Sequence, residues 1–395
     1  MKFVLLGGGI AGVTAAQRLR SLAPHASLTV VEAEPVFYYL RPGLIDLLAG
    51  RKSLEQITPF PPAWYAKQGV QYRAGHVAVD LNPSQRTVTL ASGEVLPYDR
   101  LLLALGAQAV IPEVPGKENQ GVFVLRTAAD VERIRTYAQG ARRAAVLGGG
   151  WLGIEAGRAL HDLGLEVGIF ERGPWLLSRQ MDQPGGEVLA GILQEQGLDV
   201  QTEACCEQIL GEGKVSAVQF TNGQNFPCDL VLFAAGVAPR TALPKEAGLA
   251  VNKGVVVDNH LATSAPDVFA AGDVAEWNGI VYGNISAARE QAQIAAQNMV
   301  QPGSATYQGT ISVQSLKVAG VDLLCLGTTQ PKGGPLREYR IQERRRYAKF
   351  VLDGQGRLQG AVLLGASELH DQVETWLREG LPVEGEVQRL VKAAG

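Results

Sequence analysis

A run of three glycines closes an apolar, strand-like stretch twice in this chain. Residues 2 to 34 read KFVLLGGGIAGVTAAQRLRSLAPHASLTVVEAE, and residues 143 to 172 read RAAVLGGGWLGIEAGRALHDLGLEVGIFER. Each stretch calls for a buried strand, a turn, a helix and a second strand parallel to the first. In such a unit the first glycine makes the tight turn, the second lets the backbone approach a pyrophosphate, and the third lets the helix pack close to the strand. The phosphates meet the free N–H groups and positive end of that helix. The positions are Gly7, Gly9 and Gly12 in the first turn and Gly148, Gly150 and Gly153 in the second. Glu32 and Glu171 close the following strands, where a carboxylate can bind ribose hydroxyls. Glu171 would repel a 2′-phosphate, which favours NADH, while the adjacent Arg172 keeps NADPH open.

Composition narrows the function further. A chain of 395 residues with 46% hydrophobic side chains can bury two or three cores. Its formal net charge of -3 supplies no basic field for nucleic acid or an anionic membrane. The longest apolar run, near Leu101 to Ile111, is too short to span a bilayer, and FVLL after Met1-Lys2 reads as a buried strand rather than a leader. A cytoplasmic enzyme is therefore expected. Four cysteines, two of them the adjacent Cys205 and Cys206, make neither a disulfide framework nor a CxxC metal site, so no metal is expected.

Two dinucleotide sites in one chain suggest a flavin and a nicotinamide, because a bound two-electron carrier beside a hydride donor makes a reductase. A third stretch, TSAPDVFAAGDVAEW (263 to 277), ends a short strand at Gly272-Asp273. It resembles the second flavin motif of the pyridine-nucleotide-dependent flavoprotein reductases, in which the aspartate holds the ribityl chain of FAD. YDRLLLALGA (98 to 107), GVFVLRTAADVERI (121 to 134), LLSRQMDQPGGEVLAGILQEQGLDV (176 to 200), AAGVAPRT (234 to 241) and SLKVAGVDLLCLG (315 to 327) extend the likeness over nearly the whole chain. Together they resemble the rubredoxin reductases and the NADH-oxidising flavoprotein module of assimilatory nitrite reductases. One departure is Ala104-Leu105-Gly106, where the family usually has Ala-Thr-Gly.

The resemblance implies an α/β fold with two Rossmann-like domains and a small α/β cap. Residues 1–108 and 236–303 would bind FAD, 109–235 NAD(P)H, and 304–395 would form the cap. Gly106 and Gly236 fall in matching motifs and join the implied cofactor contacts. Relatives that reduce dithiols carry a cysteine pair soon after the first acidic strand end or a CxxC in the nicotinamide domain. Here FYYLRPGLIDLL (37 to 48) has none, and the nicotinamide domain has only Cys205, Cys206 and Cys228. Electrons are thus expected to leave the flavin directly.

The resemblance also places Arg41 beside the flavin, pairs it with Glu155, and brings Lys317 to the flavin's pyrimidine end. A cation there would stabilise the reduced ring, and the carboxylate would orient the nicotinamide. The helix opening at SAAREQAQIAAQN (286 to 298) could aim its positive end at a flavin carbonyl. REYRIQERRRYAK (337 to 349) holds six Arg or Lys against two Glu and reads either as a solvated hairpin or as a patch steering an acidic carrier such as rubredoxin. The leading expectation is an NADH-dependent FAD reductase serving such a carrier. An NADH oxidase or diaphorase using oxygen or quinones, a subunit of a nitrite reductase-type assembly, and a flavin-binding signalling protein stand as rivals. Acceptor and oligomeric state stay open.

Overall fold

The computed structural model describes residues 1–318, 320–331, 333 and 335–394, of which 317, 318, 321 and 394 are described by backbone alone. Two compact units result. The first contains Met1–Gly43, Ser53–Gln108 and Val237–Thr310, and the second contains Leu44–Lys52, Ala109–Gly236 and Ile311–Gly395.

In the first unit the apolar runs form a five-stranded parallel sheet. Its spatial order is Val268–Ala270, Arg100–Leu103, Lys2–Leu6, Ser27–Glu32, Val70–Ala74. The central strands are covered on both faces, so Leu5, Leu6, Leu101, Leu102 and Leu103 are buried continuously rather than alternately. The crossover from Lys2–Leu6 to Ser27–Glu32 is the helix Ile10–Leu22. It packs on the helix Ile285–Val300 through Ala11, Ala15 and Ala16 on one side and Ala288, Ala292 and Ala295 on the other. Small side chains let the two backbones approach closely. A three-stranded antiparallel sheet of Ala78–Asn82, Thr87–Leu90 and Val95–Pro97 completes the unit's main strands.

The second unit repeats the plan. Its parallel sheet runs Asp199–Gln201, Glu166–Phe170, Arg143–Leu147, Leu230–Phe233, Val122–Val124, with the helix Trp151–Asp162 as the corresponding crossover. The expected α/β architecture with a Rossmann-like sheet for each glycine turn is therefore present. The same unit contains an antiparallel sheet ordered Val313–Val318, Val321–Gly327, Leu358–Leu364, Arg346–Leu352, Arg337–Glu343. Val373, Trp376 and Val387, from the helices His370–Glu379 and Glu384–Ala394, close its core over Phe350 and Leu363.

Candidate functional site

Both glycine turns are shaped by the same collisions. Gly7 and Gly148 take φ values of +108° and +129°, and a Cβ on either would overlap a backbone carbonyl oxygen, that of Ala104 or of Ala234. A Cβ on Gly12 would overlap the Gly7 carbonyl, and one on Gly153 the Gly148 carbonyl. The Ala-x-Gly segments 104–106 and 234–236 are thus paired parts of the two turns, each wedged against its first glycine. Their own glycines match as well. Gly106 and Gly236 have φ of +66° and +100°, and their carbonyls accept the N–H of Arg240 and of Val110, each at 3.0 Å.

The acidic residues bind their turns directly. Glu32 Oε2 accepts the Gly8 N–H at 2.6 Å and Oε1 that of Glu34 at 2.9 Å; Glu171 accepts those of Gly149 at 2.7 Å and Gly173 at 2.6 Å. The middle glycines Gly8 and Gly149 are sterically constrained positions that the three-glycine spacing rule passes over. A Cβ on Gly8 would overlap the Tyr72 hydroxyl, and one on Gly149 would overlap Leu176. The visible signal was that both turns read Gly-Gly-Gly when the rule needs only the outer two.

Gly9 and Gly150 differ from their neighbours, since a Cβ there would meet nothing within 4 Å. Each is the N-cap of its helix, makes no side-chain cap, and is followed by a first turn without an acidic residue. Elsewhere Thr127 caps the helix Ala128–Ala138 and Asn284 caps Ile285–Val300, its side chain accepting the Ala287 N–H at 2.8 Å. Two helices with unfilled N–H donors behind an open glycine fit a diphosphate, so the residues present suit a dinucleotide at each turn.

What flanks the turns is different. In the first unit Gly272, at φ +81°, lies so close to the helix after Gly9 that a Cβ would stand 3.1 Å from the Ala11 Cβ and 3.6 Å from that of Ala288. The Gly272-Asp273 segment is therefore assembled beside the first turn. Its amide is anchored by the buried Gln291, whose Oε1 accepts the Gly272 N–H at 2.9 Å. Arg41 begins the short helix Arg41–Gly43 and ion-pairs with Glu34 at 2.9 Å, while the Tyr39 hydroxyl donates to the other Glu34 oxygen at 2.7 Å. Burial works against the Arg41 cation, but Tyr39, Glu34 and Glu32 outweigh it and hold its pKa above the ordinary value.

In the second unit Glu155 stands on the helix Trp151–Asp162. Burial first, then repulsion from Asp46, pushes its carboxyl up to about 7 against a weaker pull from Arg51. Asp46 and Arg51 come from Leu44–Lys52, whose helix Leu44–Leu48 packs on the Glu155 helix. Arg51 bridges Asp46 at 2.9 Å and Asp162 at 2.8 Å, tying that segment to the same helix. Lys317 falls in the strand Val313–Val318, with its side chain outside the described residues.

The basic run 337–349 does not form a free positive patch. Arg337 pairs with Glu384, Arg340 with Asp182 and Glu338, Arg344 and Arg345 with Glu195, Arg346 with Glu343 and Glu368, and the buried Lys349 with Glu338. Six cations meet six carboxylates, most of them distant in sequence, which is why the run looked unbalanced when read alone. The four cysteines are free thiols, and burial raises Cys206 to about 11 and Cys228 and Cys325 to about 12.

Comparison with known proteins agrees with this geometry. Residues 1–298 match the family model described as pyridine nucleotide-disulphide oxidoreductase. A nitrite reductase [NAD(P)H] of Bacillus subtilis is 33% identical over 369 residues, which are 93% of this chain and 46% of that protein. NADH-rubredoxin oxidoreductase of Clostridium acetobutylicum is 29% identical over 92% of this chain and 91% of its own length. The solved structure of NADH:rubredoxin oxidoreductase from that organism has a TM-score of 0.80 at 26% identity, covering 97% of this chain and 96% of its own. The chain spans about half the length of the first curated relatives it matches.

Proposed function

This chain belongs to the pyridine nucleotide-disulphide oxidoreductase family, and from that premise we propose that it takes hydride from NADH onto FAD and passes the electrons to a carrier protein of the rubredoxin kind. Its cofactors are FAD and NAD(P)H, as in that family of flavoproteins. FAD supplies a two-electron acceptor that can release its electrons one at a time. The main support is that two like turns are furnished differently. Gly272-Asp273 lies against the helix of the first turn, while Glu155, with a pKa near neutrality, stands on the helix of the second. The first turn is thus assigned to FAD and the second to NADH.

The residues divide the work accordingly. Gly7, Gly9 and Gly12 with the free N–H groups of Ile10–Leu22 hold the FAD diphosphate, and Glu32 and Asp273 hold its sugar and ribityl hydroxyls. Gly148, Gly150, Gly153 and Glu171 do the same for NADH, and Glu155 orients the nicotinamide. Arg41 and Lys317 supply positive charge toward the flavin. Three of the four thiols have pKa values raised by burial, and Cys205 and Cys206 are adjacent in sequence, which strains a disulfide between them. This supports a route that leaves FAD without a dithiol step.

The coverage of the relatives favours a second reading. Over 93% of this chain but only 46% of the nitrite reductase is matched, as expected if the chain supplies the flavoprotein part of a larger assembly. Anaerobic titration of the purified full chain with NADH and NADPH, followed by steady-state turnover with each acceptor, tests both. It should be yellow, bleach at lower NADH than NADPH, and turn over faster with rubredoxin than with oxygen or a quinone. A colourless protein that takes up no FAD sinks both readings. Faster turnover with oxygen or quinone than with rubredoxin makes it a diaphorase. A Cys205→Ser/Cys206→Ser variant should keep its turnover, and loss of turnover with FAD intact would reveal a thiol relay.

A further inference from the structure

Gln291 is buried, 1% exposed, in a face of the helix Ile285–Val300 otherwise formed largely by Ala287, Ala288, Ala292, Ala295 and Ala296. A buried amide in an alanine face is unfavourable unless its ends find partners. Asn298, the other buried amide of this helix, meets that demand at both ends: its Nδ2 donates to the His260 and Ala305 carbonyls, and its Oδ1 accepts the Ala305 N–H. Gln291 gives its Oε1 to the N–H of Gly272, and its amide group also lies against the hydroxyl of the buried Tyr307. Asn298 binds together two loops, whereas the Gln291 oxygen serves the Ala271–Gly272 peptide, one residue ahead of Asp273.

That peptide needs an external partner. At φ +81° Gly272 leaves the strand direction of Val268–Ala270, so its N–H has no sheet neighbour to bond, and the group is buried.

We propose that Gln291 is a positioning residue for the flavin: by accepting the Gly272 N–H it fixes the Ala271–Gly272 peptide, the entry to the turn that presents Asp273 beside the first glycine turn. The role rests on the assignment of the first turn and Gly272-Asp273 to FAD. Removing the acceptor loosens the entry to that turn, although the Ala275 N–H still holds the Gly272 carbonyl at 2.9 Å, and Asp273 is then aimed less firmly toward the ribityl chain while the helix itself stays apolar and packed.

The test compares Gln291→Leu, which fills the same space without an acceptor, with Gln291→Glu, which keeps an acceptor oxygen at the same reach. In the purified full chain, FAD dissociation and the fine structure of the visible flavin absorption are measured, with thermal unfolding as a control for packing. Gln291→Leu should release FAD about tenfold faster, as for one lost hydrogen bond to a buried amide, with blurred absorption bands. Gln291→Glu should restore both. Wild-type release and spectrum in Gln291→Leu would overturn the proposal, and so would equal damage in both variants, since any change to the packed face would then suffice. If Gln291→Leu does not fold, Gln291→Glu decides: wild-type flavin behaviour supports the role and impaired behaviour overturns it. A wild-type protein without flavin would instead overturn the site assignment, and the proposal with it.

Discussion

The two glycine turns have nearly the same backbone and different surroundings. In both, the first glycine is pressed on an alanine carbonyl, the third on the carbonyl of the first, and a glutamate accepts the N–H of the middle glycine. These shared contacts shape a turn that suits an anion and say nothing of which dinucleotide would fit it. The difference begins two residues past the third glycine, where the first helix carries Thr14 and the second Glu155. It continues in what lies alongside: Gly272-Asp273 and Gln291 by the first turn, Asp46 and Arg51 by the second. Extra contacts beside the first turn suit a cofactor that stays. A single tuned carboxyl beside the second suits one that comes and goes.

The largest effect should come from filling the third glycine of each turn. Gly12→Ala and Gly153→Ala each drive a Cβ into a backbone oxygen that cannot yield without moving the turn. Gly12→Ala should weaken FAD binding at least ~100-fold and yield colourless protein, an overpacking penalty of about 3 kcal/mol. Gly153→Ala should stay yellow, while the NADH concentration for half-bleaching rises by a similar factor of ~100. Loss of flavin from Gly153→Ala with its fold intact would break the assignment of the two turns.

A smaller effect separates the carboxylates. Glu32→Gln leaves one of two N–H donors, Gly8 or Glu34, facing an amide NH2 instead of an oxygen and should weaken FAD about tenfold. Glu171→Gln should weaken NADH by about the same factor and narrow its advantage over NADPH, because the charge that repels a 2′-phosphate is gone. Equal ratios of NADH to NADPH affinity before and after the change would show that Glu171 only braces the turn through Gly149 and Gly173.

Much of this was legible in the sequence because glycine is the residue that positive φ and backbone contact demand, so Gly7, Gly12, Gly148 and Gly153 could be read from their spacing. The Rossmann-like sheets followed from the apolar runs around them. Other features depend on packing between distant segments, which spacing does not encode. Gln291 sits among good helix-forming residues and is distinguished by the Gly272 amide and the Tyr307 hydroxyl across from it. The basic run 337–349 looked like a charged surface because its partners Asp182, Glu195, Glu368 and Glu384 lie 22 to 158 residues away. Likewise the packing of Leu44–Leu48 on the Glu155 helix has no local sequence mark.

The smallest effect concerns Glu155, the residue that most distinguishes the second turn. Its carboxyl titrates near 7 in the folded chain against an ordinary 4.5, because burial and Asp46 disfavour its charge. The folded state therefore holds this proton more tightly than the unfolded chain does. Below pH about 4.5 both states are protonated and the full stability is present. As pH rises toward and through about 7, the unfolded chain has already released its proton, and wild-type stability falls relative to Glu155→Gln. The shift sets an upper bound of about 3 kcal/mol, which solvent around a partly exposed carboxyl reduces to roughly 1–2 kcal/mol. Without NADH, the melting temperature of Glu155→Gln should thus gain on wild type by roughly 1–2 °C between pH 5 and pH 8. Asp46→Asn should shrink that gain, since it removes the repulsion while Arg51 remains. A difference that stays flat with pH would mean that Glu155 is an ordinary carboxyl, and the second turn would then lack the feature that sets it apart from the first.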